Sequence, residues 1–235
     1  MRLSVGTSGY AYKEWKGAFY PLKLPADEML RFYAGRLPAV EINNTFYRMP
    51  TERVLLDWTT QVPEGFRFVL KAPQRITHYA RLKLEDDSLE YFLRTANVMG
   101  GKLGPTLFQL PPNFKKDLPR LQEFIAKLPR TWRAAFEFRH DGWFTDDVFD
   151  TLRGRDLALV TVDDDEGESP LVPTASWGYL RLRRTTYDQP ALAAWSDRIR
   201  TQPWQEGYVF LKHDEEGTAA NGPRWAEELL RLTSS

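Results

Sequence analysis

The sequence contains no cysteine. That excludes disulfides, thiolate nucleophiles, Cys-bound zinc and Cys-bound iron–sulfur clusters. It also carries no net charge, with 32 Lys and Arg against 32 Asp and Glu. Such a chain lacks the global attraction that non-specific nucleic-acid binding draws on, and only a local basic patch stays open to it. No stretch of about 18 apolar residues is present to span a bilayer, and Met1–Val5 reads directly into a strand with no apolar leader. A cytoplasmic protein without membrane contact is the expectation. Histidine is scarce: His78, His140 and His213 are the three, and no two stand at metal-binding spacing. Neither a metal nor a cofactor is expected. Gly/Ser tracts, low-complexity blocks and long runs of one charge are missing too, so residues 1–235 read as one domain.

What is present is a repeat. Eight short apolar runs each stop at a polar or charged residue, and most are followed by a stretch of helical period. The strands fall at about Leu3–Gly6, Ala39–Asn43, Phe66–Lys71, Thr106–Leu110, Ala134–Phe138, Leu157–Val162, Gly178–Arg183 and Tyr208–Lys212. Helices fit between most of them. Pro25–Glu28 begins one that Gly35 closes, Thr51 caps Glu52–Gln61, and Asp87 or Ser88 opens another that ends at Gly100 and Gly101. Leu118–Leu128, Asp146–Arg153 behind a Thr145 cap, Ala191–Thr201 and Arg224–Leu232 complete the set. Between Asp163 and Trp177 lie Gly167, Pro170 and Pro173 with no helical pattern. Strands alternating with helices build a parallel sheet, and eight such units close on themselves. The predicted fold class is therefore α/β, a single TIM-type (β/α)8 barrel with an irregular sixth unit. Chemistry in such a barrel sits at the C-terminal ends of the strands.

Strand residues alternate between the two faces of the barrel wall. With Val40, Ile42, Phe136 and Phe138 turned to the helices, Glu41, Asn43, Glu137 and Arg139 face the axis. The same argument turns Lys71, Gln109, Asp163, Arg181, Arg183 and Lys212 inward.

These strand ends resemble those of a known family. The segments are Gly6-Thr7-Ser8-Gly9-Tyr10 with Trp15 and Phe19-Tyr20-Pro21; Glu41-Ile42-Asn43-Asn44-Thr45-Phe46-Tyr47 with Pro50; Lys71-Ala72-Pro73 with Ile76-Thr77-His78; Gly104-Pro105 with Gln109-Leu110-Pro111-Pro112; and Glu137-Phe138-Arg139-His140 with Trp143. Together and in this order they look like the motifs of the YecE-like domain-of-unknown-function family. The resemblance implies a TIM-type barrel with a site near the strand ends, and it brings no reaction with it. The last third departs from the pattern. The family's Tyr-x-Arg-x-His-Gly reads Tyr179-Leu180-Arg181-Leu182-Arg183-Arg184 here. Two Asn that often end the last strand read Lys212-His213-Asp214, while Asn221 matches a later Asn. These changes fall where a barrel binds its ligand, so they bear on substrate choice.

Glu137 and Glu41 are the acid–base candidates. A carboxyl group in a partly dry mouth is expected to have a raised pKa, which suits proton transfer near neutrality. The plainer reading pairs each with an inward cation, and Arg139 stands two residues from Glu137 on the same face. Lys71 can act as general base, Schiff-base nucleophile or anion clamp, or simply balance the two Glu. Arg139, Arg181, Arg183 and Lys212 make the mouth basic, and guanidinium groups suit phosphate and carboxylate. Against that stands ion pairing with the acidic run Asp163–Glu168. The run lacks calcium-loop spacing and reads as a solvated loop, with Asp163 kept as a site candidate at its strand end. His140 or His78 would share a site with Glu137. Asn43 and Gln109 would orient substrate by hydrogen bonds. Tyr10 and Tyr47, with Tyr12, Trp15, Phe46 and Trp143, would stack on a sugar or base, or else pack loops. Ser8 does not sit in a Gly-x-Ser-x-Gly elbow.

The expected function is acid–base catalysis on a small polar or anionic substrate, sugar-like or phosphorylated, with hydrolysis, isomerisation and lyase chemistry all open. The alternative is a non-catalytic protein that binds a nucleotide or single-stranded nucleic acid. A third reading is a partner-binding scaffold.

Overall fold

In the computed structural model, which describes residues 1–48, 50–83, 86–212 and 221–233, each apolar run forms a strand paired in parallel with its neighbour. The strands are β1 (Arg2–Ser8), β2 (Ala39–Ile42), β3 (Arg67–Lys71), β4 (Leu103–Gln109), β5 (Ala134–Glu137), β6 (Ala158–Asp164), β8 (Trp177–Leu182) and β9 (Glu206–Leu211). A short β7 (Gly167–Glu168) folds back antiparallel on the end of β6. Because β1 pairs with β9 and β5 with β6, the eight parallel strands close into a barrel.

The strands read as continuous apolar runs because both their faces are covered. Val40, Ile42, Phe136, Phe138, Val209 and Leu211 join the large core between wall and helices. Ala39, Val69, Leu107, Ala135, Val160, Tyr179 and Phe210 fill the barrel interior as a second, smaller core. Alanines opposite aromatic rings let the interior pack closed, so the barrel is filled and not a pore.

Around the wall run α1 (Met29–Ala34), α3 (Glu52–Thr60), α4 (Ser88–Asn97), α5 (Leu118–Lys127), α6 (Asp146–Arg153), α7 (Gln189–Arg200) and α8 (Asn221–Thr233), with a one-turn α2 (Asn44–Tyr47) at the mouth. Thr51 caps α3 as predicted, accepting from the Val54 N–H. Thr145 occupies the N-cap of α6, but its hydroxyl donates to Asp147 and no helix N–H reaches it. Helix α7 begins two residues earlier than its apolar period shows, because Asp188 accepts from the Ala191 N–H and Pro190 fits the first turn.

The irregular sixth unit is present. Between β6 and β8 lie β7 and an extended segment, residues 169–176, with no helix. The β5–β6 ladder is short, with two residue pairs. Side chains of the extended segment make up for it: Ser169 Oγ accepts the Val162 N–H and Thr174 Oγ1 accepts the Leu159 N–H. Among the described residues no helix is long and apolar enough to cross a membrane.

Three turns after strand ends carry no periodic signal and are absent from the sequence reading. They are α2 after β2, a π-helical turn Arg75–Tyr79 after β3 and a 3-10 turn Asp141–Trp143 after β5. All three lie at the mouth. Thr45 Oγ1 ties α2 to the end of β3 by donating to the Lys71 carbonyl at 2.6 Å.

Candidate functional site

Strand register sets the height of each inward side chain. Ser8 lies opposite Glu41 on β1 and β2, and Gln109 lies opposite Glu137 on β4 and β5. The paired side chains meet: Ser8 Oγ donates to Glu41 Oε1 at 2.8 Å, and Gln109 Nε2 donates to Glu137 Oε1 at 2.7 Å. Arg181, on the inward face of β8 two residues beyond Tyr179, joins the two acids. Its Nη1 donates to Glu137 Oε2 and its Nη2 to Glu41 Oε1, both at 2.7 Å. Tyr179 donates to Glu41 Oε2 at 2.6 Å, and Arg139 Nε donates to Glu137 Oε1 at 2.8 Å. Glu41, Glu137 and Arg181 are 0 %, 0 % and 2 % exposed. Each buried charge thus has a counter-charge and hydrogen bonds, the condition under which burial is tolerated.

This network reverses the expected raised carboxyl pKa. Burial alone raises both groups. The Arg181 charge, joined at Glu137 by Arg139, and the hydrogen bonds more than undo that. Both carboxyls are held below the ordinary carboxylate range. Neither donates a proton near neutral pH, and each is a weak base. In the folded chain they stand as counter-ions of Arg181, without the raised pKa expected of them.

Lys71 differs. It ends β3, half-buried, with Nζ 3.9 Å from the centre of the Phe46 ring. Among the described residues no carboxylate comes within 4.0 Å of it. Burial and the nearby Arg181 charge bring its pKa down from 10.5 to about 8, although Glu137 and Glu41 pull the other way. The ring face favours the ammonium, by about 0.5–1 kcal/mol at exposed sites and about 2 kcal/mol or more where water is excluded, and so opposes this lowering.

Phe46 also takes His78 edge-on, with ring centres 4.8 Å apart at 82°. His78 Nδ1 lies 2.9 Å from the Thr77 hydroxyl oxygen, which is also 3.3 Å from the Pro73 carbonyl oxygen. Burial, then Lys71 and Arg139, lower the His78 pKa, so the ring is neutral at pH 7. Arg183, half-buried beyond Arg181, has no carboxylate partner among the described residues. Burial and Arg181 weaken its hold on its proton. Around Arg181 the inward side chains thus set Arg181, Arg139, Arg183 and Lys71 against Glu41 and Glu137, both already bonded. A cleft of about 590 Å³ opens beside this network, lined by Arg139 and by the acids Glu137, Asp141, Asp164, Glu166 and Glu168.

The family described as "Protein of unknown function DUF72" matches residues 4–235. The chain belongs to the DUF72 family. It is 35 % identical over 116 residues to UPF0759 protein YecE of Escherichia coli (strain K12), covering 49 % of this chain and 43 % of that protein. It is 29 % identical over 149 residues to UPF0759 protein YunF of Bacillus subtilis (strain 168), covering 60 % and 52 %. The chain spans about half the length of the curated relatives it matches. A crystal structure of a DUF72 family protein from Thermotoga maritima MSB8 superposes over 100 % of both chains with a TM-score of 0.86 at 24 % identity. One from Enterococcus faecalis V583 superposes over 99 % of this chain and 96 % of that one, with a TM-score of 0.77 at 18 % identity. These likenesses establish the shared barrel.

Several predicted site residues of this DUF72 chain lie apart from the network. Asn43 and Tyr10 line a separate cavity of about 110 Å³ with Gly9 and Trp58. Tyr47 is 74 % exposed and packs its ring against Phe46. His140 uses Nδ1 to accept the Gly142 N–H at 3.0 Å, which shapes its own turn. Lys212, half-buried at the end of β9, acts electrostatically on Asp165. His213 and Asp214 lie outside the described residues.

Asp163 was expected on the axis and points the other way. Its carboxylate lies beneath α7, accepting from Tyr187 OH at 2.9 Å, Trp195 Nε1 at 2.9 Å and Arg184 Nε at 2.7 Å. Val160 and Val162 hold the inward face of β6 instead. Three more acids of the run are also engaged: Asp165 by Thr185, Glu168 by Arg198, and Asp164 by the Glu166 N–H. These contacts engage Arg184 and Arg198 and leave the mouth arginines to the interior. Among the described residues no group of His, Asp and Glu is placed to hold a metal ion. Sequence reasoning missed Tyr179 and treated Ser8 only as a nucleophile. Extending the inward alternation of Arg181 back by two residues finds Tyr179.

Proposed function

We propose that the mouth of this barrel binds a small anion, carboxylate or phosphate, and that the protein is an enzyme in which Lys71 moves the proton. The observation that carries this reading is the imbalance around Arg181. Glu41 and Glu137 are saturated, while Lys71 and Arg183 have no carboxylate partner among the described residues. Guanidinium and ammonium groups without counter-ions attract anions, and Arg binds them in a fork. An amine titrating near 8 is close enough to neutrality to serve as base in one step and acid in the next. His78, neutral and on the same aromatic ring, supports a second proton carrier. The carboxylates hold Arg181 in place.

Thermal unfolding with inorganic phosphate, a sugar phosphate, an uncharged sugar and a single-stranded oligonucleotide tests this. A ligand at a hundred times its dissociation constant adds about 2.7 kcal/mol, or roughly 5–10 °C in a domain of this size. Phosphate and sugar phosphate are expected to give such a shift, Arg183→Leu is expected to lose it, and the uncharged sugar is expected to give none. A shift with the oligonucleotide alone would replace this reading by nucleic-acid binding, which the neutral chain disfavours.

A further inference from the structure

We infer that Lys71 is a nucleophile that takes the carbonyl carbon of a small anionic aldehyde or ketone into an imine. The inference rests on the anion-binding reading of the mouth, names the substrate class that the mouth serves, and gives Lys71 the bond to carbon, with proton transfer passing to His78 or solvent. A lysine attacks only as the free amine, which burial away from counter-ions and neighbouring cations favour. Lys71 is half-buried, with no carboxylate within 4.0 Å of it among the described residues. The Phe46 ring, 3.9 Å from Nζ, covers one side of the amine, although its face favours the ammonium. Arg181, Arg139 and His78 are its electrostatic neighbours, and Glu41 and Glu137 act on it only as already bonded carboxylates. Half-burial leaves the amine reachable from the mouth. Arg183 and Arg139 are there to take the substrate's carboxylate or phosphate, which orients the carbonyl group.

The step balances without any oxidant or reductant. The Nζ lone pair forms a bond to the carbonyl carbon, and the C=O π pair moves to oxygen, which takes up a proton. The nitrogen passes a proton to solvent or to the neutral His78 ring. The carbinolamine hydroxyl takes up a second proton, and the C–O bond breaks as the nitrogen lone pair forms C=N, giving an iminium whose remaining N–H proton is released to the medium. The carbonyl oxygen leaves as water, and the amine's two hydrogens are balanced by that water's two.

Borohydride trapping tests the inference. The full chain is incubated with pyruvate, with dihydroxyacetone phosphate or with uncharged acetone, then reduced, digested and mapped by mass spectrometry. Phosphate binding by calorimetry is measured on the same preparation. An amine titrating near 8 has roughly 300 times more free base at neutral pH than one titrating near 10.5. Lys71 is therefore expected to be labelled on the order of tenfold or more above exposed lysines such as Lys13 and Lys127. Arg183→Leu is expected to reduce labelling by the two anionic probes and not by acetone. Lys71→Arg, which keeps the charge, is expected to remove the label. Labelling of Lys71 no greater than that of surface lysines, with phosphate still bound, overturns the imine and leaves the anion site standing. Selective labelling by acetone without phosphate binding upholds the nucleophile and removes the anion reading.

Discussion

Arg181 Nη2 stands 2.7 Å from Glu41 Oε1 across 140 residues of chain, and both groups are sealed from solvent. A pair of this kind is held by its surroundings. Its removal from one side is more costly than its presence is stabilising, because the remaining charge has no water to turn to.

Arg181→Met leaves two buried carboxylates without their shared counter-ion. A loss of about 3–5 kcal/mol in urea unfolding is expected, the magnitude typical of a broken buried pair. Glu41→Gln keeps the Glu137 contact and is expected to cost less. Equal losses would show that the two acids do not share Arg181 in solution.

The pH dependence of stability follows from opposite shifts. Glu41 and Glu137 lie below 4.5 in the folded state, so their contribution is present above that pH and lost as pH falls through the folded values. Lys71 runs the other way. Between pH about 8 and 10.5 the unfolded chain holds a proton that folded Lys71 has released, so its contribution makes stability rise with pH across that window. Subtracting the profile of Lys71→Met from that of wild type isolates the rise. A flat difference would place the amine at its ordinary value.

Asp163→Ala leaves the Trp195 indole N–H without its acceptor beneath α7, while the Tyr187 hydroxyl keeps the backbone carbonyl of residue 163. Unsatisfied buried donors cost about 1–3 kcal/mol each. The variant is expected to unfold at lower temperature while keeping its full phosphate-induced shift. Loss of that shift at unchanged stability would return Asp163 to the site.

The barrel was legible because its strands are bounded by polar residues and its helices repeat at 3.6. Glu41, Glu137, Gln109 and Arg181 were legible because period two leaves one inward polar residue at each strand end. Asp163 was misread because Leu157–Val162 is apolar on both faces apart from Thr161, so alternation in β6 has only a weakly marked phase. The aromatic wall behind Lys71 was hidden for another reason: Phe46 and His78 ride on short turns with no period. The direction of the carboxyl shifts depends on Arg181, which no local window around Glu41 or Glu137 contains.

The distance along the chain between Glu41 and Arg181 also constrains the order of assembly. During synthesis β2 emerges long before β8. A lone carboxylate resists transfer out of water. A nascent chain that ends short of β8 therefore cannot close its wall around an ionised Glu41, and the N-terminal strands stay open and hydrated until their counter-ion has been made.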